Sequence, residues 1–265
     1  MAASDPAVEA ARAYEELHVG ALFRQWTRPV LDAARVGEGH EVLDVACGTG
    51  VLAREARPRV GPRGTVTGLD LGAGMLAVAA ELDPDIRWVE GAAGDLPFAD
   101  DTFDAVVCQF GLMFFPDRVG AVREMLRVAR PGGRVVLAVW ESLERSQAYP
   151  EAVDLLLRRA GPVAADALRA PFVLGDPDEL LGVFAEAGAP DAQVETLSGT
   201  ARFPSIRSMV EADLRGWLPV MGVDLEEDLV RSILAEAETV LGRYVTGDGE
   251  MVFDAPAHLV SLDVG

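Results

Sequence analysis

Residues 42–50, VLDVACGTG, decide how the rest of the chain is read. An apolar run that meets a carboxylate at Asp44 and then turns through Gly48 and Gly50 describes a buried strand. It ends in a loop whose backbone comes close to a ligand. A helix starting near Val51 would offer its free N-terminal amides to that ligand. Asp70 lies 20 residues past Gly50, at the end of a second apolar run. A carboxylate at that strand tip can accept both hydroxyls of a ribose. The spacing predicts a nucleoside-containing cofactor and leaves two classes open. Gly48-x-Gly50-x-x-Ala53 satisfies a loose dinucleotide fingerprint, whereas Asp44-x-Ala46-x-Gly48-x-Gly50 sets a carboxylate ahead of the glycines.

Outward from this stretch, residues 42–140 alternate short apolar runs with helical patterns, as a parallel sheet covered by helices requires. Strands are expected at 42–46, 65–69, 86–89, 105–108 and 134–139, each bounded by Gly, Pro or Asp. Leu71, Met75, Val78, Ala79 and Leu82 share one helix face, which stops at Asp83-Pro84. Val119, Val122, Met125, Leu126 and Ala129 repeat that spacing between an Asp117 cap and Pro131-Gly132-Gly133. After Trp140 the alternation stops. Residues 141–172 read as a helical insertion, followed by a helix at 177–187 and a strand at 193–203. A second amphipathic insertion, 204–247, opens at Ser205, and the last strand is expected at Ala257–Asp263. Residues 1–40 form an N-terminal helical segment, and 41–265 carry the core with both insertions.

The composition narrows the partners. The chain has 265 residues and a net charge of −20, from 43 acidic against 23 basic side chains, all of the latter arginine. Nucleic acid is disfavoured as a substrate, because phosphate binding needs a concentrated basic face. A small uncharged or cationic molecule fits better. The complete absence of lysine and asparagine reads as the coding bias of a GC-rich bacterium and excludes lysine-based chemistry. No leader-like or bilayer-spanning run is present, so a cytoplasmic location without membrane insertion is the default. Cys47 and Cys108 form neither a disulfide framework nor a metal-ligand pattern. No metal is expected, and a homodimer is compatible with the chain.

Asp44-x-Ala46-x-Gly48-x-Gly50 resembles motif I of the class I S-adenosylmethionine-dependent methyltransferases. The segment EGAAGDLPFADDTFDAVVCQFGLMFFPD (90–117), with Arg130-Pro131-Gly132-Gly133, resembles the ubiquinone/menaquinone-biosynthesis type. There, a Leu-Pro-Phe loop follows the third strand, Phe-Asp opens the fourth and Arg-Pro-Gly-Gly opens the fifth. The resemblance covers about residues 40–140. It implies an α/β fold, a Rossmann-like doubly wound sheet of seven strands, mostly parallel with the last antiparallel. The insertions then become helical caps and residues 1–40 a lid. It also implies S-adenosyl-L-methionine as cofactor and methyl transfer to a small, largely apolar acceptor at oxygen, carbon or nitrogen. An NAD-dependent oxidoreductase, or a non-catalytic cofactor-binding member of the fold, is the alternative.

By the same resemblance, Asp44 faces the cofactor's ammonium group and Ala46 replaces a common glycine. Leu71 and Met75 line the adenine slot, and Gln109 lies near the methionine end or the acceptor. The family acid that contacts the adenine amino group is replaced by Ala92. Adenine recognition is then left to backbone near Ala93 or to Asp95. Tyr14 and Trp26, with Phe23, belong to the N-terminal segment that closes on the cofactor in such enzymes. Met- and Trp-rich insertions suit an apolar ligand, with Phe114, Phe115, Phe172, Met209, Trp217 and Met221 as its expected walls. Of three histidines, His40 and His258 read as structural. His18 alone is placed to act as a general base, where one is needed.

Overall fold

The structure, a computed structural model, describes residues 5–265; the first four residues of the expected lid lie outside the described residues. Seven strands form one sheet in the order β3-β2-β1-β4-β5-β9-β6. These are β1 (Glu41–Val45), β2 (Thr65–Asp70), β3 (Arg87–Glu90), β4 (Phe103–Gln109), β5 (Ala129–Trp140), β6 (Gln193–Leu197) and β9 (Ala257–Asp263). The pairs from β3 through β5 are parallel, and β9 runs antiparallel to both its neighbours. The expected doubly wound sheet with an antiparallel last strand is therefore present. The chain reverses its direction of travel across the sheet between β1 and β4. In an open α/β sheet, ligands bind in the crevice above that switch point.

The helices follow from local chemistry. In chain order α1 (Pro6–Tyr14), α2 (Arg24–Ala33), α3 (Val51–Val60), α4 (Ala73–Leu82) and α5 (Arg118–Val128) accompany the first five strands. Asp5 caps α1 through the Ala7 amide, and Asp117 caps α5 through Gly120 N at 2.7 Å. Asp176 does the same for α8 (Pro177–Glu186). Each cap satisfies an amide that helix geometry leaves free, worth about 1 kcal/mol. The central strands are buried along nearly their whole length, Val106, Val107, Val136 and Leu137 completely. Both faces are covered, which explains apolar runs without polar alternation.

The stretches 141–172 and 204–247 are largely helical and meet on one another. The first holds α6 (Tyr149–Ala160) and α7 (Pro162–Arg169). The second holds α9 (Ile206–Glu211), a π-helical segment at Ala212–Trp217, the short α10 (Leu218–Val220) and α11 (Glu227–Val240). Trp217 Nε1 donates to the Ala167 carbonyl, tying one insertion to the other. A second π-helical segment, Glu15–Phe23, joins α1 to α2.

Three expectations need correction. The stretch 193–203 is two strands rather than one. It breaks at Ser198-Gly199, and β7 (Thr200–Phe203) pairs with β8 (Met251–Asp254) in a separate two-stranded sheet framing the second insertion. Gly199 at this break packs so closely on the Trp26 ring that a Cβ there would collide with it. The Arg130-Pro131-Gly132-Gly133 turn belongs to β5 itself, with an irregular register against β4. Leu71 lies outside α4, at the exposed tip of β2.

Candidate active site

The loop after β1 is built from backbone in the left-handed region. Ala46, Gly48 and Gly50 have φ of 55°, 55° and 85°. Glycine takes this conformation without strain, whereas Ala46 holds it at a cost of about 1 kcal/mol. Gly50 is required for a second reason. The Trp88 ring lies against its bare α-carbon, and against that of Gly68, so a Cβ at either would enter the indole.

Two carboxylates face this loop from neighbouring strand tips. Asp70 accepts hydrogen bonds from Gly48 N on one oxygen and Gly72 N on the other, both 2.8 Å. Burial raises its pKa from the ordinary carboxylate value, and the amides oppose that rise. Each oxygen retains a lone pair, and the carboxylate cannot swing away. Asp44 is fully buried. One oxygen accepts from Ala53 N in the first turn of α3, at 3.0 Å, and the other has no partner among the described residues. Desolvation pushes its pKa up to about 8. On the adjacent β4, Gln109 Nε2 donates to the Phe23 carbonyl and its Oε1 is likewise buried without a partner. These two orphan acceptors call for donors that the chain does not supply. The ammonium group of an amino-acid-bearing nucleoside supplies them, so the donor set fits S-adenosylmethionine.

The N-terminal segment closes this region. Glu15 accepts from Arg54 Nη2, in the first turn of α3, at 2.7 Å and from the Thr49 hydroxyl of the β1–α3 connection. Tyr14 lies over Gly48, its ring 3.9 Å from where a Cβ would stand. Met75 is half-buried beside Gly72, and Leu71 is 72% exposed at the rim. Ala92 and Ala93 follow β3 on the loop anchored by Gly91 N to the Asp70 carbonyl. Asp95 is exposed there, and its amide donates to the Ala92 carbonyl.

Tyr14 also lines a cavity between the sheet and the two insertions, with about 660 Å³ of non-atom space including its opening to solvent. His18, Leu22 and Phe23 extend the wall from the N-terminal segment. Phe110 and Trp140 stack 4.0 Å apart at the tips of β4 and β5. Phe114, Phe172 and Trp217 complete the lining as expected, Phe114 and Trp217 with rings 5.1 Å apart. Phe110 is held at φ 60°, a strained conformation that recurs at ligand sites.

Several expected site residues lie elsewhere. Trp26 does not reach the cofactor region: it is 2% exposed, packed edge-on against Phe110 and Trp140. Met209 is completely buried among the helices of the second insertion, and Met221 is half-buried at the end of α10; neither lines the cavity. Phe115 packs on the core. His258 is structural, bridging Thr196 and the Gly175 carbonyl. Both thiols are buried and pushed up, Cys108 to about 12, so neither is a nucleophile at neutral pH. Sequence reading missed Asp213, Tyr149, Ser146 and Trp140, all in the cavity wall. Trp140 carries a signal that could have found it, since it ends β5 beside Gln109 at the tip of β4. Asp213 does not, as it sits in a run that reads as an ordinary amphipathic helix.

Comparison with known proteins agrees with this geometry. The model of the "ubiE/COQ5 methyltransferase family" matches residues 17–172. A demethylmenaquinone methyltransferase of Staphylococcus carnosus is 33% identical over 207 residues, covering 70% of this chain and 84% of that protein. A ubiquinone/menaquinone biosynthesis C-methyltransferase of Idiomarina loihiensis is 36% identical over 154 residues, 55% of this chain and 61% of that protein. Among solved structures, the YcgJ protein of Bacillus subtilis shares the fold at a TM-score of 0.57 and 20% identity, over 89% of this chain and 97% of that one. The family match decides the donor that the glycine loop left open, against the dinucleotide. The chain belongs to the ubiE/COQ5 methyltransferase family and is an S-adenosylmethionine-dependent methyltransferase.

Proposed function

We propose that the protein methylates a small, largely apolar, ring-bearing acceptor bound in the aromatic cavity, with the N-terminal segment as lid and the two insertions as cap. The observation that carries this reading is the position of Tyr14, which touches the glycine loop and the cavity at once. Donor and acceptor are thus held in contiguous compartments, as an in-line displacement requires. The relatives named for quinone methylation make a hydroquinone ring the first acceptor to try.

S-adenosylmethionine supplies a methyl group already activated by the positive charge of its sulfonium. Asp70, fixed by two amides, accepts the ribose hydroxyls. Asp44 and Gln109 receive the ammonium, and Leu71 and Met75 border the adenine. Ala46, Gly48 and Gly50 form the floor, and backbone near Ala92 and Ala93 meets the adenine edge. The aromatic walls of Phe23, Phe110, Trp140 and Trp217 orient a flat acceptor and keep water from the reacting atoms. No helix among the described residues is long and apolar enough to cross a membrane. The acidic surface argues against a nucleic-acid substrate and suits a cytoplasmic enzyme, acting alone or as a homodimer.

Calorimetry with S-adenosylhomocysteine and turnover with radiolabelled donor test the reading. Micromolar binding of the former and label transfer to 1,4-naphthohydroquinone or a related phenol are expected. Binding with no transfer to any hydroquinone, phenol or enol would overturn the acceptor class and favour a non-catalytic member of the fold.

A further inference from the structure

The two π-helical segments, Glu15–Phe23 and Ala212–Trp217, both contribute to the cavity wall and contact each other. Such wide turns are rare and recur at functional sites. Here they bring together two polar side chains in an otherwise apolar space. His18 Nε2 stands 3.9 Å from Asp213 Oδ1, with side chains 5% and 6% exposed. The imidazole is not satisfied locally. Both imidazole nitrogens are buried without a hydrogen-bond partner among the described residues, and His18 is the sole charge partner of Asp213 among them. The pair is nevertheless closely fitted. The imidazole stacks on Tyr14 and lies over Gly216, where a Cβ would stand 3.0 Å from Cε1. A desolvated carboxylate with so little compensation is costly, and that cost is relieved when a ligand donates to it.

We propose, on the reading of this chain as a methyltransferase of apolar ring-bearing acceptors, that Asp213 receives the acceptor's hydroxyl and takes its proton, with His18 as the positioning residue. The acceptor O–H donates to the carboxylate. As the acceptor becomes nucleophilic that bond breaks, the proton passes to Asp213, and the electron pair stays on the acceptor oxygen and its conjugated ring. In this arrangement His18 presents Nε2–H toward Oδ1, 3.9 Å away, and steadies the carboxylate by charge–dipole attraction rather than by a direct hydrogen bond. Burial raises the pKa of Asp213 from the ordinary carboxylate value, which makes it a stronger proton acceptor. Tyr149, which faces it, and Tyr14, elsewhere in the same cavity wall, are pushed up by burial and stay neutral. A hydroxyl suits this site better than an ammonium, because a cation would itself have to be desolvated on entering.

The test uses the full chain saturated with S-adenosylhomocysteine and three probes sharing one ring: 2-naphthol, 2-methoxynaphthalene and 2-naphthylmethylammonium. Fluorescence titration is expected to show 2-naphthol binding about tenfold tighter than its methyl ether. Asp213→Leu should reduce that preference to within about twofold while S-adenosylhomocysteine binds as before. His18→Phe, which keeps the ring against Tyr14, should lower it part of the way. Equal binding of naphthol and ether by the unaltered chain overturns the proposal without recourse to any variant. So does an unchanged preference in Asp213→Leu, or in the nearly isosteric Asp213→Asn should the leucine variant fail to fold, and so does tighter binding of the ammonium probe. Failure of the unaltered chain to bind S-adenosylhomocysteine would instead strike at the methyltransferase reading itself.

Discussion

Glu15 holds Arg54 across the cofactor loop, Oε1 to Nη2 at 2.7 Å, with both side chains about four-fifths buried. The bond joins the N-terminal segment to the first turns of α3, and the Thr49 hydroxyl adds a second tie to the same carboxylate. Hydrogen bonds to a charged group in such surroundings contribute about 1.5–3 kcal/mol. Glu15→Ala should therefore loosen the segment. Limited proteolysis between residues 5 and 24 is expected to quicken about tenfold, with S-adenosylhomocysteine protecting less than in the unaltered chain. Equal cleavage rates would show that the segment is held by packing alone.

Asp70 fixes Gly48 and Gly72, and on the proposed reading offers its remaining lone pairs to the ribose. Asp70→Ala is expected to weaken S-adenosylhomocysteine by about 1–3 kcal/mol, read by calorimetry. Asp70→Asn keeps one acceptor and should fall between. Unchanged affinity in both would remove Asp70 from the site.

Asp44 gives the protein a pH dependence whose sign is fixed by its burial. Its folded pKa, about 8, lies above the ordinary value of 3.8, so the folded chain keeps a proton that the unfolded chain has released. Stability from this group is complete below about pH 4 and is lost as pH rises toward 8. Asp70 and Asp213 shift in the same direction. Thermal unfolding without cofactor should accordingly occur at lower temperature at pH 8 than at pH 6. An ammonium brought to Asp44 favours its ionised form, so S-adenosylhomocysteine binding at pH 7 should expel a proton. Titrations in buffers of different ionisation enthalpy detect it, and Asp44→Asn should abolish most of it.

Gly50 is wedged between a left-handed backbone and the Trp88 indole. Gly50→Ala should destabilise the chain by about 2–4 kcal/mol, overpacking and the positive φ acting together. Combining it with Trp88→Leu is expected to recover the steric part only. Simple additivity of the two losses in urea unfolding would contradict the contact.

The sheet was legible in the sequence because each strand is short, apolar and punctuated by Gly, Pro or Asp. Asp44, Gly48, Gly50 and Asp70 were legible because they sit at strand tips, where spacing along the chain fixes position in space. The cavity was harder to read. Phe114, Phe172 and Trp217 line the cavity, but Met209 and Met221, on the same amphipathic pattern, turn into the helix packing. Periodicity shows that a face is apolar without showing which partner it meets. Trp26 failed for a related reason, since its ring is claimed by Gly199, 173 residues further on in a strand that the sequence ran together with its neighbour. The π-helical turns rotate Asp213 and His18 off the register that a 3.6-residue period predicts.

The segment Glu15–Phe23 belongs to two compartments through side chains one turn apart, Glu15 toward the donor loop and His18 toward the acceptor wall. On the proposed reading most of the remaining acceptor wall, including Leu168, Phe172 and Trp217, comes from the two insertions. Evolution can thus retune acceptor choice through the insertions while the donor motif stays constant. On the same reading a substitution within Glu15–Phe23 has no such freedom: it would be pleiotropic, altering donor retention and acceptor choice in a single step.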